Sequence, residues 1–229
     1  MNTSDPTPTL SALQSLMRSP FTWGVVIVIL HVVGAAGTAL GYADVLLPLT
    51  PLNLIVCAAI VMAFTGSESP WRWSLTMFLG FGIEVLGVAT GLLFGEYSYG
   101  SGLGPQVLDV PMLMGVLWWL LLLGTHHWSE RLMSRGGRTA SPVGRAALAA
   151  TLMTALDGAI EPVAIRAGWW TWHDGDIPWT NYLTWWVAAF ALGLLWRDVE
   201  DLKTNRLSGL LVLVFAVFFA LLNFIPWTL

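Results

Sequence analysis

Seven long apolar runs, separated by short polar segments, constrain what this chain can fold into more than any other feature of its sequence. A transmembrane helix needs roughly 20 mostly apolar residues to cross a hydrocarbon core of about 30 Å. Hydrophobic residues make up 56% of the 229 residues and charged residues only 10%, whereas a soluble domain carries about 25% charged residues. This composition excludes a cytosolic enzyme and a nucleic-acid-binding protein with a basic face. A single cysteine excludes a secreted disulfide scaffold.

The runs predict an all-α, polytopic integral membrane protein with seven transmembrane helices in one domain, residues 21–229. The first 20 residues are polar, contain Ser and Pro, and are expected to form a disordered cytoplasmic tail. Pro48 and Pro51 predict an irregular start for the second helix. The predicted helices are Thr22–Gly41, Val45–Phe64, Trp73–Phe94, Val110–Gly124, Val143–Ile165, Tyr182–Leu195 and Leu207–Trp227.

The basic residues predict how these helices are oriented. Nine of the ten Lys and Arg residues flank the same ends of the predicted helices, and Arg166 alone lies at the opposite ends. Cytoplasmic loops carry an excess of Lys and Arg, so the N-terminus is expected in the cytoplasm and the C-terminus outside. A multi-pass protein of the plasma or bacterial inner membrane is expected, with the loops Gly95–Asp109 and Arg166–Asn181 on its outer side.

Two spacings of seven residues, one from an acid to a glycine and one from a proline to a tryptophan, each occur twice. They predict that the third and fourth helices and the fifth and sixth helices form parallel repeats. The four pairs are Glu84 and Gly91, Glu161 and Gly168, Pro111 and Trp118, and Pro178 and Trp185.

Three carboxyl groups lie inside the predicted spans. Glu84 is midway through the third helix, and Asp157 and Glu161 share one face of the fifth at positions i and i+4. Each costs a few kcal/mol at such depth unless it is paired, hydrated or protonated, and the spans hold Lys or Arg only near their ends. We expect a pocket where these groups donate and accept protons, with burial and mutual repulsion keeping at least one protonated. The alternative is that each carboxyl only hydrogen-bonds a neighbouring helix.

The histidines do not indicate a metal site. His31 lies alone on an apolar helix face, as hydrogen-bonded structural histidines do, although a proton-relay role stays open. His126 and His127 are expected to meet lipid headgroups at the cytoplasmic end of the fourth helix. His173 lies near two aspartates without the spacing of a metal-ligand motif. Neither a dinucleotide-binding nor a phosphate-binding glycine motif occurs, so neither a cofactor nor a metal is expected.

Fourteen tryptophans are far more than usual for this length. Several are expected to anchor helix ends at the headgroups, but six crowd around the loop that follows Glu161. Aromatic faces stabilise cations and pack against conjugated chains. Carboxyl groups beside them indicate protonation chemistry on a hydrocarbon. The six are Trp169, Trp170, Trp172, Trp179, Trp185 and Trp186.

Two blocks of sequence carry a family resemblance. The first is residues 84–99, EVLGVATGLLFGEYSY, continued by Leu103-Gly-Pro105 and by Pro111 and Trp118. The second comprises residues 157–164 (DGAIEPVA), 168–172 (GWWTW) and 178–181 (PWTN). Together they resemble a membrane carotenoid-biosynthesis family that includes carotenoid 1,2-hydratases and bisanhydrobacterioruberin hydratases.

The resemblance implies addition of water across the terminal 1,2 double bond of an acyclic carotenoid ψ-end, without a cofactor. A protonated carboxyl would protonate the alkene, and a carboxylate would accept a proton from the water that captures the tertiary cation. The candidates for these roles are Glu84, Asp157 and Glu161, with Asp109 as a fourth on the outer side. The implied partners are the lipid bilayer, a hydrophobic carotenoid and other enzymes of the pathway, with no nucleic acid. Candidate substrate-binding and water-positioning residues are Tyr97, Tyr99, Trp169, Trp172, Asn181 and Trp185.

Two other functions remain open at this stage. A membrane carotenoid or isoprenoid cyclase would use the same acid and quench the cation by losing a proton. A proton-coupled transporter would also carry intramembrane acids and an internal repeat.

Overall fold

The computed structural model describes residues 14–65, 70–134, 141–196 and 206–228. This part of the chain is mostly helical, and helices lie at all seven predicted positions. The helices are α1 Pro20–Ala39, α2 Ala43–Leu46, α3 Thr50–Ala63, α4 Pro70–Thr90, α5 Leu113–Met133, α6 Pro142–Arg166, α7 Trp179–Leu195 and α8 Arg206–Phe224.

Among the described residues, five helical segments are long and apolar enough to cross a membrane, which makes the chain a helical membrane protein. α5 and α7, at the other two predicted positions, fall short of that measure. α7 has only 17 residues, and α5 ends in the polar sequence HHWSERLM. A count of seven spans therefore stays a prediction. The five segments are Pro20–Ala39, Ala43–Ala63, Pro70–Thr90, Pro142–Arg166 and Arg206–Phe224.

The second span begins irregularly, as its prolines predict. After α2, residues Leu47–Leu49 form a 3₁₀ turn that contains Pro48, and Pro51 lies in the first turn of α3. Of the predicted tail, residues 1–13 lie outside the described part, and residues 14–17 are helical.

α5 is central because it packs against α4, α6 and α8. It also extends further than predicted. It continues beyond the predicted end at Gly124 to Met133. His126 and His127 are buried there, instead of meeting headgroups. The His126 ring lies against Gly193 of α7, and the His127 ring lies against Gly209 of α8. A Cβ atom at either glycine would clash with the ring.

Two short antiparallel strand pairs correct the all-α prediction: three of the four strands lie in the predicted loops, and the other, Val110–Pro111, occupies the predicted start of the fourth helix. β1 (Tyr97–Tyr99) pairs with β4 (Trp170–Trp172), and β2 (Gln106–Val107) pairs with β3 (Val110–Pro111). Strands of two or three residues are too short for an alternating pattern to be recognised in the sequence. The first pair ties the loop between α4 and α5 to the loop between α6 and α7.

Four features of the backbone and packing agree with the predicted internal repeat. Each half consists of two helices whose connecting loop contributes one strand to a shared pair, β1 between α4 and α5 and β4 between α6 and α7; the first loop also contains β2 and β3. The corresponding glycines, Gly91 and Gly168, both have φ of 64°, a value that glycine adopts at low cost. The corresponding strands β1 and β4 pair antiparallel, and the corresponding rings of Trp118 and Trp185 stack 4.3 Å apart. A local two-fold axis between the halves would produce these pairings.

Candidate active site

The three intramembrane carboxyl groups converge on one cavity, here called the carboxyl cavity. Glu84 from α4 and Asp157 and Glu161 from α6 are each only 2% exposed, and all three line it. Asp109 does not join them, because it lies on the exposed turn between β2 and β3. The other lining residues are Phe94, Tyr97, Tyr99, Met114, Trp170, Trp172, Asn181 and Trp185.

Glu84 accepts three hydrogen bonds. The hydroxyls of Tyr97 and Tyr99 both donate to its Oε2 atom at 2.8 Å, and Trp118 Nε1 donates to Oε1 at 2.8 Å. The two tyrosines reach the same oxygen because alternate residues of a strand face the same side, and β1 presents both to α4. Three donors around one buried carboxyl suit the negatively charged form.

Glu161 has the corresponding surroundings in the second half. Trp170 and Trp172, alternate residues of β4, donate from Nε1 to Oε2 at 2.9 Å. Asn181 of α7 donates from Nδ2 to Oε1 at 3.2 Å. Glu161 is therefore also surrounded by three donors, none of which carries a positive charge.

Asp157 differs from both glutamates. Within the described part of the chain it has one hydrogen-bond partner, Asn181, whose Nδ2 atom lies 3.0 Å from Oδ2. The Asn181 amide therefore bridges Asp157 and Glu161, with one hydrogen available for each. With a single donor, Asp157 has the least stabilised negative charge of the three.

The phenols that support Glu84 are held in their protonated form. Burial raises the pKa of Tyr97 and of Tyr99, and the nearby Glu84 carboxyl raises both further. Both residues lie on β1, in the loop between α4 and α5. They therefore remain hydrogen-bond donors at any physiological pH.

The carboxyl cavity is small. It offers about 20 Å³ to the centre of a water molecule, enough for about one water. No Lys or Arg is among its lining residues, so no ion pair neutralises its acids there. The described residues also contain no group of three or more His, Cys, Asp or Glu placed to hold a metal ion. The arrangement provides proton donors and acceptors around one small molecule.

The structure brings most of the predicted substrate-binding residues to this cavity. Tyr97, Tyr99, Trp172, Asn181 and Trp185 line it. Trp169 instead lines a neighbouring apolar cavity. Whether any of these residues binds substrate stays a prediction.

Sequence reasoning missed two tryptophans of the site. Trp118 donates to Glu84 and Trp170 to Glu161. The repeat gave a signal for Trp118, because it corresponds to Trp185. Trp170 is two residues before Trp172, the spacing that places side chains on one face of a strand.

Comparison with known proteins gives the chain a family. A family model described as carotenoid biosynthesis protein matches residues 45–229. The chain is 35% identical over 128 residues to the bisanhydrobacterioruberin hydratase of Haloarcula japonica, a match that covers 53% of this chain and 42% of the relative. It is 29% identical over 146 residues to an alpha-(1→3)-arabinofuranosyltransferase of Mycobacterium tuberculosis, covering 54% of this chain and 10% of that protein.

These matches thus cover less than half the length of either curated relative. No solved structure matches the chain. The family match extends from the second apolar segment to the end of the chain and includes all three buried carboxyls. The protein belongs to the carotenoid biosynthesis protein family.

Proposed function

We propose that this protein is a carotenoid hydratase that adds water across the terminal 1,2 double bond of an acyclic carotenoid, without a cofactor. The observation that carries the proposal is the carboxyl cavity, in which three buried acids surround space for about one water. The similarity to a bisanhydrobacterioruberin hydratase supports the same class of reaction. Hydration needs one proton donor, one proton acceptor and one water, and this site can supply them.

Asp157 is the proton donor in this proposal. A carboxyl with one hydrogen-bond donor around it gains least from ionising, and Asp157 has one where each glutamate has three. Its proton passes to the less substituted carbon of the terminal double bond, and the π electrons form the new C–H bond. The other alkene carbon becomes a tertiary carbocation.

The two glutamates act as carboxylates on that cation. Glu84 and Glu161 hold their charge through fixed donors, so they stabilise the positive charge without reorganising. Water in the cavity then attacks the tertiary carbon, and Glu161 accepts the proton that the water releases. Return of that proton to Asp157 restores the site, and the net change is one water added to one double bond.

The proposal also includes the arrangement in the cell membrane. Seven spans, with the N-terminus in the cytoplasm and the C-terminus outside, would place nine of the ten basic residues on the cytoplasmic side. β1 and β4, and with them the carboxyl cavity, would then lie toward the outer side.

The test is expression in a bacterial strain that accumulates lycopene, followed by chromatography and mass spectrometry of the pigments. The wild-type chain is expected to give products heavier by one or two waters. Asp157→Asn is expected to give none, since general acid catalysis contributes about 10²–10⁴-fold. The matched control is Asp109→Asn, the same change at an exposed turn with φ of 62°, which asparagine tolerates.

The outcomes separate the candidate functions. A product of unchanged mass and altered retention would indicate a cyclase instead of a hydratase. Equal activity of Asp157→Asn and wild type would overturn the assignment of Asp157 as the acid. Loss of activity in Asp109→Asn as well would mean that the buried carboxyls are not what distinguishes the site.

A further inference from the structure

The carboxyl cavity cannot contain a carotenoid. With room for about one water, it can receive at most the reacting end, after local side-chain adjustment. The remaining hydrocarbon must lie in a space that adjoins the cavity. That space must be apolar, because a long hydrocarbon brings no polar groups to satisfy.

One neighbouring cavity meets this requirement. It shares Trp170 with the carboxyl cavity and offers about 60 Å³ on the same measure. Its walls include Trp169, Phe215, Phe218 and Phe219, and we call it the aromatic cavity. Trp170 donates its Nε1 hydrogen to Glu161, so one indole forms the boundary between the acids and the apolar space.

The aromatic cavity continues toward the outside of the helix bundle. His31 of α1 and Phe218 of α8 line both this cavity and a larger groove between α1 and α8, here called the membrane groove. The membrane groove offers about 280 Å³ and runs along α8 from Leu210 to Leu221, a distance of about 16 Å at 1.5 Å per residue. Two of its residues, Val32 and Val217, are 58% and 53% exposed.

The polar side chains at the junction, His31 and Asn53, have hydrogen-bond partners within the protein. His31 Nδ1 lies 2.8 Å from the Ile27 carbonyl oxygen, which can only accept, so Nδ1 carries the hydrogen. His31 Nε2 is then the acceptor for Asn53 Nδ2, at 3.4 Å. Both ring nitrogens are used, and the imidazole contacts the rings of Phe215 and Phe218. The junction therefore presents ring surfaces to an apolar chain.

We propose that the membrane groove and the aromatic cavity form a lateral binding path for an acyclic polyene, which enters from the bilayer between α1 and α8 and presents its end to the acids beside Trp170. This inference rests on the proposed function for the identity of the chain that occupies the path. A hydrocarbon dissolved in the bilayer would reach the site without crossing water.

The experiment blocks the path reversibly in protein that has already folded, so the same folded sample is compared with and without the block. Leu117 lines the aromatic cavity, and Leu117→Cys can be modified with dodecyl methanethiosulfonate and released with dithiothreitol. The matched control is Leu152→Cys. Leu152 lines a different apolar groove, which shares no lining residue with the aromatic or the carboxyl cavity. That groove has Leu213 in common with the membrane groove, but Leu152 itself does not line the membrane groove. The natural cysteine, Cys57, is 0% exposed, and labelled wild type controls for it.

Two readouts are taken before labelling, after labelling and after reduction: hydration of lycopene, and carotenoid retained per protein, measured by absorption of an extract. Labelled Leu117→Cys is expected to lose at least tenfold in both, and reduction should restore both. Leu152→Cys should keep its own initial values throughout. Complete labelling of Leu117→Cys, checked by mass spectrometry, with both readouts unchanged would overturn the path.

The second readout separates the two proposals. If wild type retains carotenoid but hydrates none, the proposed function fails. Loss of that retention on labelling Leu117→Cys would still support the path, and unchanged retention would refute it.

Discussion

Trp118 and Trp119 are neighbouring residues that allow the hydrogen bonds to Glu84 to be tested with an internal control. Both side chains are 0% exposed. Trp118 Nε1 donates to Glu84 at 2.8 Å, whereas Trp119 Nε1 has no hydrogen-bond partner within the described part of the chain. Tryptophan to phenylalanine removes the same atoms at both positions. The difference between the two variants therefore measures the N–H group that supports Glu84.

The expected magnitude follows from the acceptor. A hydrogen bond to a charged group contributes about 1.5–3 kcal/mol, and each 1.36 kcal/mol is a factor of ten in rate. If Glu84 stabilises the cation as a carboxylate, kcat/KM should fall about 10- to 150-fold more in Trp118→Phe than in Trp119→Phe. Removing the unpartnered N–H of Trp119 should cost nothing of this kind, since no bond is lost.

The assay is hydration of lycopene by purified protein in lipid nanodiscs, with rates normalised to folded protein from size-exclusion chromatography. Both variants lose packing volume, so both are expected to lose some thermal stability. Equal loss of kcat/KM in the two variants would refute the reasoning, because it would show that packing, not the bond to Glu84, supports the reaction. A larger loss in Trp119→Phe would refute it more directly.

Two further predictions concern the supports of the site. Burial and Glu84 raise the pKa of Tyr97 and Tyr99, so above about pH 10 the unfolded chain releases phenolic protons that the folded protein keeps, and stability falls as pH rises. The double variant Tyr97→Phe/Tyr99→Phe should flatten this alkaline fall in denaturation temperature, and an unchanged slope would contradict the prediction. Gly80→Ala would bring a Cβ atom to 2.5 Å from Trp118 Cβ and should cost about 1–3 kcal/mol. Gly82→Ala, with nothing within 4 Å, should be neutral or stabilising, so equal melting temperatures for the two alanine variants would be evidence against close packing at Gly80.

The sequence was sufficient to predict the helices because each is a long apolar run, a signal that depends on composition alone. Their ends were less predictable. α5 extends past Gly124 because Gly193 and Gly209 make room for the rings of His126 and His127. That accommodation depends on which helices become neighbours, and a single helix carries no information about it.

The carboxyl cluster was predictable in part. The i,i+4 spacing placed Asp157 and Glu161 on one face, and the cost of burying Glu84 indicated that it would join them. The donors were harder to predict, since Tyr97, Tyr99, Trp170 and Trp172 reach the acids through strand alternation in loops that gave no strand signal. Asp109 was proposed only from its predicted location on the outer side. It lies on an exposed turn, with φ of 62°, away from the three buried acids.

The repeat also explains why the site is not symmetrical. Glu84 and Glu161 correspond, and the residues four positions before them are Gly80 and Asp157. Gly80 has no side chain, and a Cβ atom there would lie 2.5 Å from Trp118 Cβ, so the first half has no carboxyl at the position that corresponds to Asp157.

The same asymmetry extends to the partner of that carboxyl. Four positions before Trp185 is Asn181, whose side-chain amide donates to Asp157. Four positions before Trp118 is Met114, which has no side-chain amide. The acid and the amide that orients it thus occur together in one half only. In the proposed mechanism, two matched glutamates supply negative charge from both halves, and the second half alone adds the proton donor. An exactly two-fold site would place two equivalent acids around one water, and neither acid would have a defined role. Asp157 and Asn181 remove that ambiguity, because the first half has Gly80 and Met114 at the corresponding positions.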